Sequence, residues 1–217
     1  MVDIDTLTTF NPWWLQHSVP AYFLGRFKRP LFEGILPYIE KRFALLIFGL
    51  RRVGKTTLLY QLIDRLLENK VEPLHVLYFS FDEQSVSLDQ LVKLYEEKAL
   101  KKTIAGAERI YFFFDEIQKL SDWPNKIKLL YDLHPNLKIF LSGSAAVTLQ
   151  EGSQESLAGR VVDFCLKPLS FTEFLCWKGH SPDPKRPDLQ GPVLAPLMMD
   201  YLRKGGFPEI VNEEQDE

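Results

Sequence analysis

The sequence predicts a three-layer α/β fold, with helices on both faces of a parallel sheet, and three observations carry that prediction. Largely apolar runs of strand length recur at residues 43–48, 74–81, 109–114 and 137–141, as expected for strands buried on both faces. Stretches of helical periodicity separate them, and strand–helix alternation over this length implies a parallel sheet. Between the first run and its helix lies a glycine-bounded loop, GLRRVGKT, at residues 49–56, and a strand–loop–helix of this kind belongs to phosphate-binding α/β domains.

Taken in order, residues 1–29 show little periodicity, yet Trp13, Trp14, Tyr22, Phe23 and Phe27 make them too apolar for a disordered tail. They read as an arm packed on the main domain. Pro30 suits the first turn of a short helix over 31–42. After the strand at 43–48, a helix over 56–69 places Leu58, Leu59, Leu62, Ile63, Leu66 and Leu67 at 3.6-residue spacing. The second strand, 74–81, leads to a helix over 87–102 with Ser87 as its N-cap. The strand at 109–114, a helix over 123–133 and the strand at 137–141 follow, then a fifth strand at 161–166 and a short helix at 171–177 opened by Ser170. The texture changes at SPDPKRPDLQGPVLAP, residues 181–196, which reads as a proline-rich linker. A helix over 197–204 then stops at Gly205-Gly206. One short helix beyond a linker has nothing to bury its apolar face against, so residues 181–217 are expected to be a linker and the start of a truncated helical lid. Residues 30–180 are then the phosphate-binding core.

Composition narrows the function classes. With 46% apolar and 25% charged residues the chain is an ordinary globular protein, and a net charge of −3 supplies no global field for nucleic acid or an anionic membrane. Local contacts through Lys101, Lys102, Lys126 and Lys128 remain open to nucleic acid, although exposed helix lysines are more often only solvated. Cys165 and Cys176 lack CxxC spacing and are expected to be reduced, half-buried thiols. The four histidines form no i,i+4 pair, so a metal site built on them is not expected. The N-terminus has no apolar signal segment and no run approaches the ~20 residues that span a bilayer, so the expected location is the cytoplasm, without membrane association.

The chemistry concentrates in three stretches. The loop fits G-x-x-x-x-G-K-[ST] at Gly49, Gly54, Lys55 and Thr56. Backbone N–H groups of Leu50, Arg51, Arg52, Val53 and Gly54 would converge on a phosphate at the helix N-terminus, with Thr57 in the first turn. Lys55 would reach the β- and γ-phosphates and Thr56 would ligate magnesium. The second stretch, YFFFDE, ends an apolar strand in Asp115 and Glu116. A carboxylate there sits at the sheet edge where α/β folds bind ligands, so Asp115 is placed to hold the metal and Glu116 to act on a water as general base. The third, IFLSGS, ends a strand in Ser142 and Ser144, which would contact the γ-phosphate or orient the water, or would simply cap a turn. Arg160 is the arginine best suited to sense nucleotide or reach a neighbouring subunit, against an ordinary salt-bridging role. The sequence NKIK at 125–128 lacks the aspartate of the guanine-reading NKxD pattern, which disfavours GTP.

In order, GLRRVGKTTLL, FFFDEIQKLSDWPNKIKLLYD, KIFLSGSAA, LAGRVVDFCLKPLSFTEFL and GGFPE resemble the prokaryotic AAA+-like ATPases, an archaeal-type group related to the STAND class that often carries a DUF4143-like or winged-helix C-terminal region. The resemblance runs from about Arg26 to Glu209. It implies a P-loop NTPase fold of the ASCE type, ATP or ADP with Mg2+ as cofactors, a Walker A loop over residues 49–56, Walker B Asp115 with catalytic Glu116, and a sensor-1 residue at Ser142 or Ser144. It further implies that Gly206-Phe207-Pro208 is a Gly-x-Pro element of the lid, with Pro208 against the nucleotide base. No sensor-2 arginine is recognisable, and the implied lid and C-terminal region do not follow GGFPE, so the sequence reads as an N-terminal ATPase fragment.

The leading expectation is an ATPase that uses hydrolysis to drive a conformational change, on a protein client or within a homo-oligomer. The alternative is an ATP- or ADP-binding regulatory switch with negligible hydrolysis. A P-loop kinase acting on a small molecule ranks below both, because such an enzyme needs no water-activating glutamate after Asp115.

Overall fold

The computed structural model describes residues 2–82, 86–149, 157–181 and 187–212. Five parallel strands, β1 (Ala44–Gly49), β2 (Val76–Ser80), β3 (Ile110–Asp115), β4 (Leu137–Ser144) and β5 (Val161–Cys165), form one sheet in the order β2-β3-β4-β1-β5. β4 is thus inserted between the strand that feeds the loop and the strand that ends in Asp115, as the ASCE expectation requires. β1 to β4 are buried along almost their whole length. Side chains alternate between the faces of a sheet, so this burial demands cover on both. Register places Gly49 opposite Ser144 and Ser80 opposite Asp115, bringing four strand ends to one edge.

The N-terminal region contributes α1 (Ile4–Phe10), α2 (Trp13–Gln16), α3 (Ala21–Leu24) and α4 (Pro30–Ile35). The helix expected over 31–42 stops early. After Ile35 only one 3-10 turn, Leu36–Tyr38, continues it, and Pro37 within that turn removes a donor that a longer helix needs. α5 (Lys55–Glu68) follows β1 and buries Leu58, Leu59, Leu62, Ile63 and Leu66. α6 (Leu88–Leu94) starts at a Ser87 cap and widens into a π-turn over Tyr95–Leu100. α7 (Trp123–Leu133) and α8 (Phe171–Trp177) fall where the periodicity places them, and Ser170 with Glu173 forms a capping box on α8.

Two buried features fix the ends of the sheet. At the exposed edge of β2 the N-terminal region takes the place of a sixth strand: Asn11 bonds both backbone groups of Tyr78, at 2.6 and 3.0 Å, and the indole N–H groups of Trp13 and Trp14 both donate to the Val76 carbonyl. The edge is therefore not left open to pair with another chain. At the opposite edge from Gly49, fully buried Lys138 donates to the carbonyls of Tyr38 (2.7 Å), Lys41 (2.8 Å) and Phe43, holding the turn that enters β1. Burial pushes its ammonium down to about 7, with Arg109 adding to the effect.

The C-terminal part differs from the expected linker. Residues 182–186 and 213–217 lie outside the described residues, but α9 (Pro187–Lys204) already spans most of the proline-rich stretch, with Pro192 and Pro196 inside the helix. The prolines that read as breakers are absorbed there. α9 and α10 (Pro208–Asn212) do not lack a partner either: Leu194, Leu197, Tyr201 and Val211 pack with Leu169, Phe174 and Leu175 into a second apolar cluster on α8. Cys165 and Cys176 are exposed rather than half-buried. Among the described residues no helix is long and apolar enough to cross a membrane.

Candidate functional site

The loop after β1 is shaped by what cannot fit. A Cβ on Gly49 would lie 2.2 Å from the Leu166 carbonyl, because the segment leaving β5 crosses there and the Leu166 N–H donates to Phe48. The chain then turns through Arg52 and Gly54, at φ 65° and 95°, and α5 begins with no side-chain cap. Its first N–H groups are therefore free to bind an anion. Lys55, only 5% exposed, folds back to donate to the carbonyls of Gly49 (3.3 Å) and Leu50 (2.9 Å). Burial lowers its pKa, while the charges of Glu116 and Asp115 act to raise it. Buried Arg29 supports the loop from behind, donating to the Val53 carbonyl, the Lys167 carbonyl and both oxygens of Glu173.

Asp115 ends β3 with its carboxylate buried among hydroxyls. Thr56 Oγ1 donates to Oδ2 at 2.6 Å and the Tyr78 hydroxyl to the same oxygen at 3.0 Å. Oδ1 accepts from Ser142 Oγ and, at 3.0 Å, from the Glu116 N–H. Burial, with the Asp115 charge beside it, holds the Tyr78 phenol far above its ordinary value, so it stays protonated and donates. Glu116 adopts a left-handed conformation at φ 51°, ψ 47°, which turns the chain sharply out of the strand. Gln118 Nε2 donates to its carboxylate, and Gln118 Oε1 faces the Ser144 N–H at 3.4 Å.

These groups border two compartments. A cleft of about 660 Å³ is lined by Arg51, Arg52, Gly54, Lys55, Thr56, Thr57 and Glu116, and is closed on the far side by Pro208 and Glu209 of α10. That volume lies within the range of small-molecule sites. Arg52 pairs with Glu209 at 3.3 Å across its mouth. A second compartment of about 410 Å³ shares Thr56, Thr57 and Glu116, adds Asp115, and is walled by Tyr22, Phe23, Tyr60 and Tyr78.

The residues singled out from sequence are therefore largely assembled, from β1, α5, β3 and α10. Leu50 is exposed on the loop, and Val53 is buried, presenting its carbonyl to Arg29. Three assignments change. Ser142 is fully buried with its hydroxyl on Asp115, so it holds the carboxylate rather than facing a phosphate. Ser144 does not line either compartment among the described residues, and its N–H faces Gln118. Arg160 immediately precedes β5, and its carbonyl accepts from the Ala44 N–H at the start of β1, the edge opposite the loop. There it makes a two-pronged pair with Asp132, at 2.9 and 3.1 Å, and it lines neither compartment. Sequence reading missed Asn11, Arg29, Tyr78 and Gln118. Only Tyr78 gave a signal: a hydroxyl inside a buried strand must find a partner.

A parallel sheet with a glycine loop, lysine, threonine and strand-end aspartate at one edge defines a P-loop NTPase fold. A family model described as "AAA domain" matches residues 41–175, more than half of the chain, and the chain belongs to that family. It is 30% identical over 183 residues to an uncharacterized protein of Haemophilus influenzae, covering 84% of this chain and 44% of that protein. It is 38% identical over 152 residues to the uncharacterized protein MJ1637 of Methanocaldococcus jannaschii, covering 66% and 30%. The chain thus spans less than half the length of these curated relatives. Among solved structures, PCH-2 of C. elegans is similar with a TM-score of 0.47 at 14% identity, covering 77% of this chain and 49% of that one.

Proposed function

We propose that this domain binds ATP with Mg2+ in the loop cleft and hydrolyses it, and that turnover moves α9 and α10 relative to the sheet. The observation that carries the reading is the 2.6 Å contact between Thr56 Oγ1 and Asp115 Oδ2, which joins the loop to the strand-end carboxylate. A hydroxyl and a carboxylate are the hard oxygen donors that Mg2+ takes, so Thr56 and Asp115 fit as its holders. Bound there, the metal would neutralise charge on the transferring phosphoryl group.

The chain's own residues account for the remaining steps. The free N–H groups at the start of α5 and Lys55 orient the phosphates and stabilise charge as it develops. Lys55 exchanges the Gly49 and Leu50 carbonyls for phosphate oxygens. Glu116 takes the proton from an attacking water, and Gln118 fixes the direction of its carboxylate. Pro208 and Glu209 bring α10 to the cleft. An exposed pair such as Arg52–Glu209 contributes only about 0–1 kcal/mol, so a phosphate that competes for Arg52 releases α10 at little cost.

A second reading, a nucleotide-binding switch with negligible turnover, is favoured by the engagement of Glu116 with Gln118. Lys55→Ala tests the shared part: with a charge-assisted bond worth about 1.5–3 kcal/mol, ATP affinity should fall at least about tenfold. Unchanged affinity on titration would place the nucleotide elsewhere. Sustained phosphate release by the wild type separates the ATPase from the switch.

A further inference from the structure

We propose that Tyr78 is a positioning residue for the Asp115 carboxylate and that the N-terminal arm, through Asn11, sets how tightly the site holds magnesium with nucleotide. The inference rests on the metal-site reading above and extends it to Tyr78 and to the arm, whose Asn11 lies outside the matched AAA domain.

Tyr78 shares one oxygen of Asp115 with Thr56: its hydroxyl lies 3.0 Å from Oδ2 and that of Thr56 2.6 Å. A Thr56 oxygen that ligates a cation does so through a lone pair and can still donate its hydrogen to Oδ2. Tyr78 is the second donor on that oxygen and comes from outside the loop, while Ser142 and the Glu116 N–H keep Oδ1. Outer donors of this kind orient a metal-binding carboxylate.

The position of Tyr78 is set by the arm. β2 is an edge strand with β3 on one side only. On its other side Asn11, 0% exposed, accepts from the Tyr78 N–H at 2.6 Å and donates to the Tyr78 carbonyl at 3.0 Å, while also donating to the Leu7 carbonyl at 2.7 Å. This two-point clamp falls on the one β2 residue whose hydroxyl reaches Asp115. Two residues earlier, Trp13 and Trp14 hold the Val76 carbonyl. The far end of the arm grips the helix that carries Thr56: buried Gln61 of α5 donates to the Leu24 carbonyl at 2.6 Å, and Phe23 stacks on Tyr60 at 4.3 Å. The Tyr60 ring lies in turn 4.7 Å from that of Tyr78. The arm thus spans the two elements whose hydroxyls meet on Oδ2 of Asp115, and whatever loosens it loosens both. Coupling of this kind is reciprocal, so metal and nucleotide should also tighten the arm.

The test is a Mg2+ titration of the binding of a fluorescent, non-hydrolysable ATP analogue, with hydrogen exchange followed over residues 4–16. For Tyr78→Phe, the Mg2+ concentration for half-saturation should rise about tenfold, while affinity for the analogue without Mg2+ stays within about twofold. Asn11→Ala should shift the Mg2+ requirement in the same direction, and the double variant should be no worse than the worse single one. In the wild type, Mg2+ with the analogue should slow exchange in the arm, and in Tyr78→Phe this protection should shrink. An equal Mg2+ requirement in wild type and Tyr78→Phe, or arm exchange indifferent to the bound complex, overturns the coupling alone. A wild type whose nucleotide binding ignores Mg2+ overturns the metal site and the coupling together. Should Asn11→Ala fail to fold, the exchange measurement on wild type and Tyr78→Phe decides.

Discussion

Arg29 donates to both carboxylate oxygens of Glu173, at 2.6 and 3.2 Å, and its guanidinium also reaches the carbonyls of Val53 and Lys167. One side chain therefore ties the phosphate loop, the segment after β5 and the first turn of α8 together. Burial alone would push the Glu173 carboxyl up, but hydrogen bonds from Arg29 and Ser170 outweigh it and hold the carboxyl below its ordinary value.

Removing one partner of this buried pair leaves the other uncompensated. Arg29→Ala should cost about 3–5 kcal/mol of stability by urea denaturation. Because the folded pKa of Glu173 is depressed, its contribution is present above the unfolded value of about 4.3 and disappears as pH falls through the lower folded value. The stability gap between wild type and variant should accordingly narrow on acidification below about pH 4. A gap that stays constant down to pH 2 would contradict the pairing.

Lys138 gives a prediction in the alkaline range. Lys138→Met strands the carbonyls of Tyr38, Lys41 and Phe43, and leaving buried acceptors unmade costs about 1–3 kcal/mol each before relaxation. A lysine pushed down to about 7 when folded binds fewer protons than the unfolded chain does between pH 7 and its free value near 10.4. Wild-type stability gains from this group as pH rises through that window, and the variant lacks the gain. Denaturation at pH 7 and at pH 9.5 should show the gap widening, and a gap that narrows would mean that Lys138 keeps an ordinary pKa.

Gln118 bridges Glu116 to the end of β4. Gln118→Ala should lower kcat about tenfold or more while leaving ATP affinity within about twofold, since the group orients a base without touching nucleotide. Gln118→Glu places like charges together and should lower kcat at least as far. A rise in KM with kcat unchanged would show that Gln118 contacts substrate instead.

Arg160 and Asp132 form a partly exposed pair on the edge opposite the loop. Arg160→Ala should change stability by no more than about 1 kcal/mol and leave ATP affinity unaltered by titration. Loss of nucleotide affinity would support a sensing role for Arg160 despite its pairing with Asp132.

Apolar runs located β1 to β4, because a strand buried on both faces shows as an unbroken apolar run, while the partly exposed β5 was placed by a weaker pattern at 161–166; α7 and α8 carry their own start signals in Trp123-Pro124 and Ser170. What escaped the sequence is long-range. Ser142 and Arg160 were legible as residues near motifs, but which sheet edge Arg160 occupies depends on where β5 begins, and whether Ser142 faces solvent or Asp115 depends on the pleat of β4. Asn11 and Arg29 act on backbone groups far away in sequence, so no local pattern marks them. The proline count misled at α9, where prolines that break an isolated helix are carried by packing on α8.

Glu116→Gln, compared with the wild type for both ATP binding and steady-state phosphate release, tests the central claim most directly. ATP should bind both proteins with similar affinity and release of phosphate should fall by about 10²-fold or more in the variant. Equal rates of phosphate release in the two proteins would contradict the account, because the water would then be activated by some group other than Glu116.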